Sequence, residues 1–131
     1  MGTFVTHPVD GGMLVGSNRG EFGGDLRLLS RGRETLITDG NVFAIVQRPW
    51  ALVLVQGAAH GGARYGTMSV LERGRDGRWI ARPHLELPAP PSGLRPTADG
   101  GLAIATTTGT LVLGPSGAVE RFDCREVTPA P

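Results

Sequence analysis

Lysine is missing altogether from this 131-residue sequence, and cysteine occurs once. All 13 cationic residues are arginine, which reads as the coding bias of a GC-rich bacterial genome. They nearly balance 12 carboxylates, and a net charge of +1 gives no general attraction to nucleic acid or to an anionic membrane surface. With Cys124 alone, no intrachain disulfide can form, which excludes a disulfide-stapled scaffold. The thiol has only Arg125 as a basic neighbour, so a structural role is its default. Aromatic residues are scarce at 5%. No apolar stretch approaches the ~20 residues that span a bilayer. The first eight residues, Met1 to Pro8, carry neither a basic segment nor an apolar one, so the expectation is a soluble, cytoplasmic chain without a membrane partner.

Glycine and proline are plentiful, at 21 and 10 residues. They are spread between short apolar runs without a collagen-like period, as turns are in a strand-rich fold. Three segments share one plan: His7-Pro8-Val9-Asp10-Gly11-Gly12-Met13-Leu14-Val15-Gly16, Arg48-Pro49-Trp50-Ala51-Leu52-Val53-Leu54-Val55, and Arg95-Pro96-Thr97-Ala98-Asp99-Gly100-Gly101-Leu102-Ala103-Ile104-Ala105-Thr106. In each, proline closes one strand and a turn opens the next, because proline cannot donate to a ladder. In the first and third, Asp-Gly supplies the positive φ a short hairpin needs. A second unit follows each: a strand, a glycine-bearing polar turn and an alternating strand, at 26–37, 68–80 and 110–122.

The two units predict twelve strands in a single all-β domain, 1–131. The first group lies at about 3–7, 12–17, 25–30 and 34–38, the second at about 42–47, 50–56, 66–73 and 78–84, and the third at about 94–97, 101–107, 109–113 and 118–123. Leu52-Val53-Leu54-Val55 and Leu102-Ala103-Ile104-Ala105 are apolar on both faces, as suits strands covered on two sides. Asp99-Gly100-Gly101-Leu102-Ala103-Ile104-Ala105-Thr106, with Gly109-Thr110-Leu111 and Gly117-Ala118-Val119-Glu120-Arg121-Phe122 behind it, resembles bacterial β-propeller repeats, which commonly read Asp-Gly-Gly-Leu-Trp-Ile-Ala-Thr here. Ala103 stands where the tryptophan would be, and the second group lacks the Asp-Gly-Gly. The resemblance implies three four-stranded antiparallel blades, 3–38, 42–84 and 94–123. It speaks for fold, not function. Propellers have about four to eight blades, so three would leave two blade faces open. A homodimer closing a six-bladed ring by two-fold symmetry is the expected solution. A partner supplying the missing blades, a longer parent chain and a three-sheet prism are the alternatives.

In such an arrangement the loops joining second to third strands share one end with the blade-linking segments. The longest are 17–24 and 56–66, with the linker 87–93 beside them. Long loops on a rigid scaffold are where binding residues concentrate, and Asn18, Arg19, Glu21, Phe22, His60, Arg64 and Tyr65 are the candidate ligand-binding residues. The competing reading is a local Arg19–Glu21 pair within compact turns. Gly11-Gly12 and Gly23-Gly24 make no nucleotide site, since no helix follows them. His7, His60 and His84 have no metal-ligand spacing, and no cofactor is expected. Trp50 and Trp79 sit on predicted strands as packing residues. Arg31, Arg33, Arg73, Arg75 and Arg78 fall at the opposite end, interleaved with Glu34, Glu72 and Asp76 as in solvated turns. The functional expectation is a non-enzymatic binding or protein-interaction module, such as a bacterial regulatory or toxin-neutralising protein. The alternatives are a small-molecule or carbohydrate binder, using Phe22 and Tyr65, and a propeller lyase or hydrolase using His60 and Glu21.

Overall fold

Twelve strands form in the computed structural model, which describes residues 2–60 and 63–124, with backbone alone for His60 and Ala63. The first sheet holds β1 (Thr3–Val9), β2 (Gly12–Asn18), β3 (Asp25–Ser30) and β4 (Arg33–Asp39). The second holds β5 (Val42–Arg48), β6 (Ala51–His60), β7 (Ala63–Arg73) and β8 (Trp79–Glu86). The third holds β9 (Pro91–Pro96), β10 (Leu102–Thr106), β11 (Gly109–Leu113) and β12 (Val119–Cys124). Each sheet is an antiparallel meander in chain order, and the whole is consistent with a propeller-like all-β fold.

Two strand boundaries differ in a way that matters. The segment expected as a loop at 56–66 is instead an extended hairpin, with Gly57 opposite Gly66, Ala58 opposite Tyr65 and Ala59 opposite Arg64. The linker expected to run to Gly93 ends earlier, because Pro91 already opens β9. One 3₁₀ turn, Gly20–Phe22, interrupts the loop between β2 and β3.

Turn chemistry sets the register. Asp10-Gly11 joins β1 to β2, and of the pair only Gly11 takes a positive φ, 80°. Between β3 and β4 both central residues do, Arg31 at 52° and Gly32 at 75°, as a mirror-image two-residue hairpin turn requires. Arg31 is the one non-glycine residue with positive φ among those described. The left-handed region costs an ordinary side chain roughly 1–2 kcal/mol and asparagine less. Arg31→Asn is therefore expected to raise stability by about 0.5–1 kcal/mol, read as a higher urea midpoint at unchanged slope.

Alternation along the central strands builds two apolar layers. From β6, Leu52 and Leu54 face the first sheet and join Leu14, Leu26, Val42 and Leu71. Val53 and Val55 face the third sheet and join Met68, Leu87, Leu102, Ile104, Leu111 and Leu113. The second sheet is thus covered on both faces, and the continuous apolar run of β6 has its physical reason. At the turn end, the second and third sheets are locked by side chains. The Trp50 Nε1–H donates to the Gly100 carbonyl at 2.9 Å, and the Arg48 guanidinium donates to the carbonyls of Thr97 (3.0 Å) and Gly100 (3.3 Å). His84 Nε2 lies 3.0 Å from the Gly117 carbonyl, and its ring stacks obliquely on Trp50 with centroids 6.2 Å apart. Trp50 and Trp79 are packing residues, as expected.

Asp99 closes the same turn. It accepts from the Thr97 hydroxyl at 2.5 Å and from the Gly101 N–H at 3.0 Å. These bonds, with the Arg48 charge nearby, hold its carboxyl below the ordinary carboxylate value. A carboxylate whose pKa is lowered by folding stabilises the fold above its unfolded pKa and loses that contribution as pH falls through the folded one. Wild type is thus expected to melt higher than Asp99→Asn near neutrality, with the gap narrowing as pH falls below the ordinary carboxylate value. Melting curves with a gap unchanged across that range would contradict this account.

Candidate functional site

The end of the stack opposite those turns gathers the 3₁₀ turn, the β6–β7 hairpin and both sheet-linking segments. Its organising residue is one that the sequence did not single out. Asn41, 2% exposed, lies in the link between the first two sheets. Its side-chain NH₂ donates to the Gly20 carbonyl at 2.8 Å, and its side-chain oxygen accepts from the Arg19 N–H at 3.2 Å. Its own backbone N–H donates to the Tyr65 hydroxyl at 2.9 Å, and its carbonyl accepts from the Gly57 N–H at 3.1 Å. Gln56, also buried, donates to the carbonyls of Asp39 (2.9 Å) and Gly40 (3.1 Å). Gly24 leaves room for this arrangement: a Cβ there would lie 2.6 Å from the Asn41 side-chain oxygen.

The candidate residues now divide. Asn18 folds its side-chain oxygen onto the Gly20 N–H at 3.0 Å and shapes the 3₁₀ turn. Tyr65 is half-buried and engaged through its hydroxyl with Asn41. Both hold the scaffold. The side chains of Arg19, Glu21, Phe22 and Arg64 are exposed, and Phe22 is 79% exposed. The described ion pairs include no Arg19–Glu21 contact; they are Arg27–Asp25 (3.0 Å), Arg82–Glu72 (2.5 Å) and Arg121–Asp123 (3.0 Å). The 3₁₀ turn that carries Glu21 and Phe22 packs against β6, the first strand of the long hairpin. His60 is paired with Ala63 through the backbone at the hairpin tip, and its side chain lies outside the described residues.

Among the described residues, no group of three or more His, Cys, Asp or Glu side chains is placed to hold a metal ion. No helix is long and apolar enough to cross a membrane. A cleft of about 410 Å³ opens between the first two sheets, with Thr38, Gln56, Thr67 and Ser69 in its wall. A smaller groove of about 220 Å³ runs over the outward face of the first sheet beside Phe4, Arg19, Arg27, Leu29 and Glu34. Comparison with protein-family models, with curated proteins and with solved structures gives no match for this chain. Its own residues therefore carry the whole functional argument.

The signal for Asn41 and Gln56 was present but faint. Asp39-Gly40-Asn41 reads as an ordinary turn, and only the return of β6 past it makes an amide at that position satisfy both neighbours at once.

Proposed function

We propose that this chain is a non-enzymatic, propeller-type bacterial protein-interaction module that engages a protein partner at the end carrying the 3₁₀ turn and the long hairpin. One observation carries the reading. At this end the buried polar side chains are committed to holding the backbone, while Arg19, Glu21, Phe22 and Arg64 project from it without a structural task in any of the described hydrogen bonds or ion pairs of their side chains. A large exposed aromatic beside arginines on a rigid platform is the composition from which interface hot spots are drawn. The flanking carboxylate gives the surface both signs of charge, which favours a protein epitope over a uniformly charged polymer.

The test is capture from an extract of the organism that carries the gene, with wild type, Phe22→Ala and Arg64→Glu as parallel baits of equal thermal stability. A partner held by wild type and weakened at least tenfold by either substitution supports the proposal. A partner held equally by all three, or none held by wild type, overturns it.

A further inference from the structure

We propose that the outward face of the first sheet is covered in solution by the outward face of the third sheet of a second copy, so that two chains close a ring of six sheets. This rests on the propeller-type reading above and adds to it the identity of one partner.

The inference comes from comparing equivalent ladder positions. The turns Asp10-Gly11-Gly12 and Asp99-Gly100-Gly101 precede Met13-Leu14 and Leu102-Ala103, and Trp50-Ala51 precedes Leu52-Val53 in the same way. Leu52 lies on the face of the second sheet that packs on the first, and Leu102 on the face of the third that packs on the second. Met13 stands at the same position in the first sheet, where no sheet precedes it; it is 37% exposed, against 0% for Leu102. The neighbouring positions repeat the pattern in reverse. Leu14 and Val53 each face the sheet that follows, whereas Ala103 faces outward. One face of the first sheet thus lacks a predecessor, and one face of the third lacks a successor.

The two faces complement each other. The first-sheet face presents large apolar groups, Phe4 at 70% exposure together with Met13, Leu29 and Leu36. The third-sheet face is low, with Gly93, Ala105 and Thr110 half-exposed at the facing register positions, and Ala103 (4% exposed) and Val112 (8%) already buried between their neighbours within the single chain. Charge differs in sign as well. Asp25, Glu34 and Asp39 outnumber Arg19 and Arg27 on the first, and Arg95 and Arg121 outnumber Asp123 on the third. Large against small and acidic against basic is the relation expected between two surfaces that meet. A contact between different faces closes only if the rotation closes, and two-fold repetition of three sheets does so at six.

Sedimentation of the 131-residue chain, across the micromolar range, is expected to give twice the 13.7 kDa chain mass. Met13→Arg, on one face, and Thr110→Arg, on the other, should each sediment as a monomer with an unchanged far-UV spectrum. Mixed in equal amounts they should recover a dimer containing one of each, seen by native mass spectrometry, because one of its two contacts joins unaltered faces. A monomeric wild type, an open series of larger assemblies, or a Thr110→Arg variant that remains dimeric alone would each overturn the inference. The last result would mean that first-sheet faces pair with each other. Phe22 belongs to the 3₁₀ turn and Arg64 to β7 of the second sheet, so neither holds a ladder position on the two faces, and a Phe22-dependent partner bound by a monomeric wild type sinks the ring and leaves the interaction module standing. A dimer that captures nothing does the opposite.

Discussion

Leu54→Ala is expected to destabilise the protein by about 2–5 kcal/mol, the range for truncating a fully buried leucine. Leu54 is 0% exposed and sits in the layer between the first and second sheets, beside Leu14, Leu26 and Val42. It is flanked along β6 by Val53 and Val55, which point the other way into the second layer. A cavity at Leu54 cannot be filled by a shift of β6 without dragging those valines from their own contacts. The cost should therefore fall in the upper part of the range, against a total of about 5–15 kcal/mol for a domain of ordinary stability. Urea unfolding followed by tryptophan fluorescence measures it. A loss below about 1 kcal/mol would mean that the two layers are less tightly coupled than the strand implies.

The second large effect is expected at Asn41. Asn41→Ala removes the bond to the Gly20 carbonyl and one of the acceptors of the Arg19 N–H, and leaves the half-buried Gly20 carbonyl without that partner. A net hydrogen bond is worth about 1 kcal/mol and an unsatisfied buried polar group costs about 1–3, so a loss of about 2–4 kcal/mol follows. Tyr65→Phe takes away only the hydroxyl that accepts the Asn41 N–H and should cost about 1 kcal/mol. Because both substitutions loosen the same link, the double variant should cost less than the sum of the two. Strict additivity in a double-mutant cycle would show that the hydroxyl and the amide act separately. The same Asn41→Ala variant is expected to weaken partner capture, since it releases the platform on which Phe22 and Glu21 stand.

The fold was legible wherever turn chemistry and apolar alternation agreed. Asp10-Gly11-Gly12 and Asp99-Gly100-Gly101 announced their hairpins, and the four-residue apolar run of β6 announced a strand covered on two sides. The β6–β7 hairpin was hidden by its composition. Glycines at 57 and 66 resemble turn residues, yet neither has a positive φ. They are small because the linker between the second and third sheets crosses there. A Cβ on Gly57 would strike Pro91, and one on Gly66 would lie 2.6 Å from the Ala89 carbonyl. Glycine demanded by crowding and glycine demanded by a turn look alike in one sequence. The same holds for the candidate site. Residue type marked Asn18 and Tyr65 as polar groups near a loop, but only three-dimensional placement shows that both are occupied in holding backbone.

The two-layer arrangement also orders events in time. Every sheet is contiguous in the chain, so each can pair its own strands as soon as it has been synthesised, and domains generally form from the N-terminal side during synthesis. The second sheet is the exception to independence. When residues 42–86 have emerged, Leu52 and Leu54 find the first sheet waiting, but Val53 and Val55 still face water. They remain so until residues 91–113 follow. The nascent chain thus passes through an interval in which its most apolar strand is half-dressed, and chaperone engagement or premature self-association would concentrate in that interval.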